Sequence, residues 1–342
     1  MEFEHGGYVQ ESNAQFIDFS SNVNPLPFPK GIRRLKERIF ESVRPYPDPY
    51  IRELCEKVSS FHGLSKEEIL FGNGSSELIY LSLFALKPRS VCIPAPTFSE
   101  YERASKAIGA EIERIELDEN FLLPLSSIKD TEMLIFCHPN NPTGNYIIEN
   151  RKDILRLNIR HFIIDEAFIE FSEDHEKRSF LSLIKEDKRI IVIRTFTKLF
   201  PLAGVRIGYM IAEKEVIERI KAFKPPWNVN GPAMVLASSF LEERGFVERT
   251  RKLVKKEREY LIKELKALGF KPYPSVTNFI LFKLKEGQSS KVLRERLQSK
   301  GIMIRDCSNF SGLDERFVRI AVKTRKDNKR LIEALKEICL KY

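Results

Sequence analysis

What this chain has little of narrows the field first. Its five cysteines, Cys55, Cys92, Cys137, Cys307 and Cys339, are an odd number without the close paired spacing of a metal-ligand set. That speaks against a disulfide framework and for reduced, mostly buried thiols. The five histidines, His5, His62, His138, His161 and His175, lie far apart, so no metal site is expected. No apolar run approaches the length of a membrane span, and no membrane partner is expected. The opening residues Met1 to Gly7 are polar and acidic where a secretory signal would be basic and then apolar, which points to a cytoplasmic protein. There is no internal repeat and no low-complexity tract.

What is present is the balance of a soluble globular chain: 342 residues, 42% hydrophobic and 31% charged, long enough for roughly two domains. A net charge of +9 raises the question of nucleic acid. The basic residues, however, alternate with acids, as in the segment Glu248 to Lys266, which reads as a solvated helical face. No nucleic-acid partner is expected.

The first thirty residues, with Gly6-Gly7 and the proline-rich Asn24-Pro25-Leu26-Pro27-Phe28-Pro29, read as an arm with turns. Helical patterns follow near 31–42 and 50–62. From Glu67 to Ala212, helix-like segments alternate with short β-branched runs at 91–93, 133–137, 161–164, 190–193 and 207–211. Continuous apolar runs of this kind predict parallel strands buried on both faces, hence an α/β layered domain. Beyond Pro225-Pro226-Trp227 the pattern turns to long helices at 232–243 and 246–268. A strand at 277–284, a helix at 290–300, strands at 302–304 and 317–322 and a closing helix at 326–340 follow. The division expected is an arm over 1–30 joining the small domain, a large domain over 31–230 with a mostly parallel sheet, and a smaller α+β domain over 231–342.

Three segments carry chemistry. In Thr195-Phe196-Thr197-Lys198, one lysine stands among hydroxyls after an apolar strand, and Arg206 follows eight positions on. A lysine amine forms a Schiff base with a carbonyl, and hydroxyls with a guanidinium hold a phosphate dianion. Gly72-Asn73-Gly74-Ser75-Ser76 leads into a helical pattern, so its backbone N–H groups would face an anion, although such a turn alone is most often a plain cap. His138-Pro139-Asn140-Asn141-Pro142-Thr143-Gly144 and Asp165-Glu166-Ala167-Phe168 end two of the strands, where open α/β sheets bind ligands. Asp165, after an apolar run, needs a cationic partner if it is poorly solvated.

Together these segments resemble the fold-type I pyridoxal 5'-phosphate enzymes of the class I/II aminotransferase superfamily, over nearly the whole chain. His5-Gly6-Gly7, Asp18 to Leu26, Pro226 to Asn230 and Arg305 to Asp314 resemble, within that group, the L-threonine-O-3-phosphate decarboxylases of cobalamin biosynthesis. The related histidinol-phosphate aminotransferases share the core motifs but fit the arm less well. The resemblance implies Lys198 as the Schiff-base lysine, Asp165 as partner of the pyridine nitrogen and Asn141 as donor to the ring 3-oxygen. Phe98 would stack on the ring. Gly74, Ser75, Ser76, Thr195, Thr197 and Arg206 would hold the cofactor phosphate, with Tyr46 reaching over from a second subunit of a homodimer. Arg319 would take the substrate carboxylate, and Arg305, Asn22 and His5 its phosphate. One departure is Phe168, where a tyrosine often gives the 3-oxygen a second hydrogen bond.

The implied reaction is decarboxylation of L-threonine O-3-phosphate to (R)-1-amino-2-propanol O-2-phosphate. Transamination of histidinol phosphate is the alternative, and a non-catalytic regulator that binds a phosphorylated metabolite is a third reading. For each arginine taken alone, an exposed surface charge is the ordinary reading.

Overall fold

The computed structural model describes residues 6–7 and 16–339. Among them the strands are β1 (Ile17–Asp18), β2 (Ile69–Gly72), β3 (Ser90–Ala95), β4 (Glu111–Glu116), β5 (Met133–Cys137), β6 (His161–Asp165), β7 (Ile190–Thr195), β8 (Gly208–Ile211), β9 (Lys271–Pro272), β10 (Phe279–Lys283), β11 (Ile302–Met303), β12 (Arg305–Asp306) and β13 (Phe317–Ala321). Seven of them form the main sheet in the order β2-β8-β7-β6-β5-β3-β4. β5 and β7 are buried at every position, and helix Gly74–Leu86 lies over β7 and β8. Uninterrupted β-branched runs suit such strands because neither face meets water.

Strands β3 to β7 are parallel, as the sequence predicts. The run at 207–211 is a correction: β8 pairs antiparallel with both β7 and β2. The connection from β7 carries only the one-turn helices Phe196–Leu199 and Ala203–Val205. Such turns cannot carry the chain back along the sheet, so it re-enters from the end it left. Two strands of this sheet were not foreseen. β4 is an edge strand whose sequence, Glu-Ile-Glu-Arg-Ile-Glu, is largely exposed. β2 is a four-residue run that the sequence merges with the turn beyond it.

The C-terminal third forms a four-stranded antiparallel sheet, β12-β13-β10-β9, packed with the long helix Arg244–Ala267 and the closing helix Arg325–Cys339. Buried Glu257 of the long helix accepts from Arg325 at 2.8 Å and Asn328 at 3.1 Å, joining the two helices. Residues 17–19 belong to this region: β1 runs parallel to β11, and Ala321 N–H donates to Phe19 O at 2.8 Å. Among the described residues no helix is long and apolar enough to cross a membrane.

In the main sheet the strand order changes direction between β3 and β5. Ligands of open α/β sheets sit at the carboxyl ends beside such a switch point. The chain leaves β3, β5, β6 and β7 there at Ala95, Cys137, Asp165 and Thr195.

Candidate active site

Asp165 is the last residue of β6 and is 3% exposed. The Tyr101 hydroxyl donates to its Oδ2 at 2.8 Å and the Ala167 N–H to its Oδ1 at 3.0 Å. Burial pushes the carboxyl up to about 6, while these two donors and the Lys198 charge pull it back. Tyr101, fully buried on helix Glu100–Ala107, is a functional residue that sequence reasoning missed. Its one signal is its place, three residues after Phe98. Phe98 meets Tyr101 edge-on with centroids 5.6 Å apart.

Lys198 sits on the one-turn helix Phe196–Leu199 that follows β7. Its ammonium has no hydrogen-bond partner among the described residues and lies 5.9 Å from the Phe168 ring centroid. Burial first, then the positive charges of Arg319 and Arg206, bring its pKa down to about 8 against the pull of Asp165 and Cys137. Thr195 caps this turn. Its Oγ1 accepts from Thr197 N–H at 3.2 Å and donates to Ile207 O at 3.0 Å. With the Thr195 proton directed at Ile207 O, the Thr197 hydroxyl is the donor in its 2.9 Å contact with Thr195.

Gly74 opens helix Gly74–Leu86 at φ +78°, and the preceding Asn73 makes no side-chain cap. The first N–H groups, with the partly buried Ser75 and Ser76, are therefore open to an anion. Arg206, itself in the left-handed region at φ 59°, turns its guanidinium onto this end. A Cβ built on Gly74 would fall 3.0 Å from the guanidinium carbon, so only glycine leaves Arg206 its place.

On the other side, Arg319 of β13 is 6% exposed. It donates to Asn141 Oδ1 and, at 2.8 Å, to Ser20 O, while its Nε has no partner among the described residues. With Asn141 Oδ1 taken, the amide N–H groups remain for a ligand. Burial, with Arg305 nearby, brings the Arg319 guanidinium down to about 10. The register sets Arg305 of β12 directly opposite Arg319. Like charges facing each other across strands are unfavourable unless an anion joins them. Arg305 bonds Asp306 O at 2.6 Å and Asn309 Oδ1 at 2.8 Å. Asn22 is buried with its Oδ1 unpartnered among the described residues. Tyr46 stands 82% exposed, its ring 4.9 Å from that of Trp227. His5 lies outside the described residues.

Behind the site, Glu166 accepts from Arg194 at 2.9 Å, from Ser179 at 2.8 Å and from Phe180 N–H at 2.6 Å. This buried pair ties β6 to β7 directly beneath Asp165 and Thr195, and it too was missed.

The family described as aminotransferase class I and II matches residues 14–335. The chain belongs to it. The chain is 40% identical to the "Putative threonine-phosphate decarboxylase" of Caldanaerobacter subterraneus subsp. tengcongensis, over 98% of this chain and 93% of that one. Among solved structures, the histidinol-phosphate aminotransferase from Clostridium acetobutylicum superposes with a TM-score of 0.88 at 35% identity, covering 95% of this chain and 99% of that one. The L-threonine-O-3-phosphate decarboxylase from Porphyromonas gingivalis gives 0.83 at 27%, again covering 95% and 99%.

The protein is thus an enzyme of the pyridoxal 5'-phosphate-dependent class with the type I fold. Its residues fit that cofactor. An amine of lowered pKa without a hydrogen-bond partner among the described residues, a helix start with no side-chain cap beside a guanidinium, and a buried carboxylate fixed by two donors are the three groups an aldehyde, a phosphate and a pyridinium require.

Proposed function

We propose that the chain decarboxylates L-threonine O-3-phosphate, and that the facing pair Arg305 and Arg319 is the observation that carries this reading. One molecule bearing a carboxylate and a phosphate on neighbouring carbons satisfies both guanidiniums at once. Histidinol phosphate has no carboxylate for buried Arg319 to pair with, although the dicarboxylate amino donor of an aminotransferase would engage both guanidiniums. The 40% identity to the Caldanaerobacter protein supports the same reading.

In this scheme Lys198 holds the cofactor carbonyl and Asp165 keeps the ring nitrogen protonated. Asn141 donates to the ring 3-oxygen, Phe98 stacks on the ring, and Gly74, Ser75, Ser76, Thr197 and Arg206 take the phosphate, with Thr195 shaping the lysine turn. Bound there, pyridoxal 5'-phosphate supplies an electron-accepting ring for a bond broken at the substrate Cα. Arg319 and Arg305, with Asn22, choose the bond. By fixing carboxylate and phosphate they would orient the Cα–carboxylate bond for cleavage, and Lys198 would supply the proton that replaces carbon dioxide at Cα. Were the same residues to present the Cα–H bond instead, Lys198 would remove that proton, which is the transaminase outcome. That second reading is favoured by the close superposition with the Clostridium aminotransferase.

The reading includes a homodimer. Tyr46, 82% exposed and in ring contact with Trp227, would reach the partner's cofactor phosphate, and Phe40 and Val43, exposed at 80% and 64%, are apolar side chains that a partner subunit would cover.

The deciding experiment gives the cofactor-loaded protein O-phosphothreonine and measures carbon dioxide, beside histidinol phosphate with 2-oxoglutarate and a glutamate assay. Carbon dioxide release from the first is expected. Glutamate formation without carbon dioxide would replace the decarboxylase by the aminotransferase.

A further inference from the structure

The helix that carries Lys198 is a single turn, Phe196–Leu199. A turn this short is not stable on its own, because too few hydrogen bonds offset the ordering of its residues. Both of its ends therefore need outside partners. Thr195 caps the amino end. At the carboxyl end, the carbonyl of Leu199 accepts from the side-chain amide of Asn24, which comes from the N-terminal segment 175 residues earlier in the chain.

Asn24 is 5% exposed, and both polar atoms of its side chain are engaged. The same amide reaches Thr250 Oγ1 of the long helix at 2.9 Å, and Oδ1 accepts from Leu26 N–H at 2.8 Å. A few residues earlier in this segment, Ser20 gives its carbonyl to Arg319, and Ser20 itself is held by Asp18 at 2.7 Å. The stretch from Ser20 to Asn24 thus bonds to the arginine on one side of the site and to the lysine turn on the other.

We propose that Asn24 is a positioning residue for Lys198, closing the carboxyl end of the lysine turn and coupling that turn to the segment that steadies Arg319. This rests on the reading of Lys198 as the cofactor lysine. A sequence scan for chemistry passes over Asn24, since it touches no reacting atom and reads as a turn residue before Pro25.

The consequence falls on the lysine amine. The charged and titratable groups facing it are Arg319 from β13, Arg206 from the loop before β8, Asp165 from β6 and Cys137 from β5. Loss of the cap lets the turn loosen and water reach the ammonium, which relieves the burial that holds its pKa near 8.

The test is competitive pH-dependent amine labelling of the cofactor-free chain, with Lys198 followed by mass spectrometry against surface lysines. In Asn24→Ala, and more mildly in Asn24→Ser should the alanine variant fold poorly, the Lys198 midpoint moves up by about one pH unit, roughly tenfold less reactive at neutral pH. The surface lysines do not change. Thr250→Val, which spares the Leu199 bond, leaves the midpoint in place. A folded Asn24 variant with the wild-type midpoint would overturn the proposal, and so would an equal shift from Thr250→Val, which would assign the effect to packing against the long helix. In wild-type protein, pyridoxal 5'-phosphate must protect Lys198 from label. Failure of that control strikes the cofactor-lysine reading instead, so the two failures are told apart.

Discussion

Removing the Tyr101 hydroxyl isolates the charge on Asp165. In Tyr101→Phe the ring still fills its buried place beside Phe98, but Oδ2 of Asp165 loses a donor at 2.8 Å. A hydrogen bond to a charged, buried acceptor is worth roughly 1.5–3 kcal/mol, or about one to two pKa units. The sign follows from which form the donor favours. Tyr101 stabilises the carboxylate, so its loss raises the pKa from about 6 to roughly 7 to 8 in the cofactor-free chain. Because the folded value already lies above 3.8, ionisation of Asp165 weakens the cofactor-free fold as pH rises through 6, by roughly 3 kcal/mol. The variant extends that loss to higher pH and enlarges it. The cofactor needs the carboxylate form as partner for its ring nitrogen. At pH 7 the variant therefore binds pyridoxal 5'-phosphate about two- to tenfold more weakly than wild type, and near pH 9 the two agree. Absorbance titrations between about pH 5 and 9 read this as a ratio, in which Lys198 and the cofactor phosphate cancel. A ratio independent of pH would refute the argument and leave Tyr101 a packing residue.

Gly74→Ala should push the Arg206 guanidinium aside and weaken cofactor retention on dialysis by about 10- to 100-fold. It also costs about 1–2 kcal/mol of stability for placing a side chain at positive φ, measured by denaturation. Arg194→Met strands the buried Glu166 charge and should destabilise the fold by about 3–5 kcal/mol, most of it recovered in Arg194→Met with Glu166→Leu; additive losses would count against a coupled pair. Arg305→Ala should weaken phosphothreonine binding by about 10- to 100-fold and leave unphosphorylated threonine unchanged, as isothermal titration can show.

The parallel strands were legible because continuous Ile, Val and Phe runs admit few other environments. The direction of β8 was not, since it depends on how far the intervening segment travels. β4 escaped because an edge strand with four charged residues looks like any solvated segment. Lys198, Asp165 and Arg206 announce themselves by residue type beside apolar runs. Tyr101, Ser20 and Asn24 do not, because their contributions are a hydroxyl, a carbonyl and an amide delivered from distant parts of the chain.

The opposed arginines on β12 and β13 have one more consequence. Two cations on paired strands act as a caliper for the gap between the negative groups of a ligand. A cleft built this way selects a molecular span, and small rotations of the molecule it grips decide which Cα bond breaks. Decarboxylases and aminotransferases can therefore keep nearly the same walls around different chemistry.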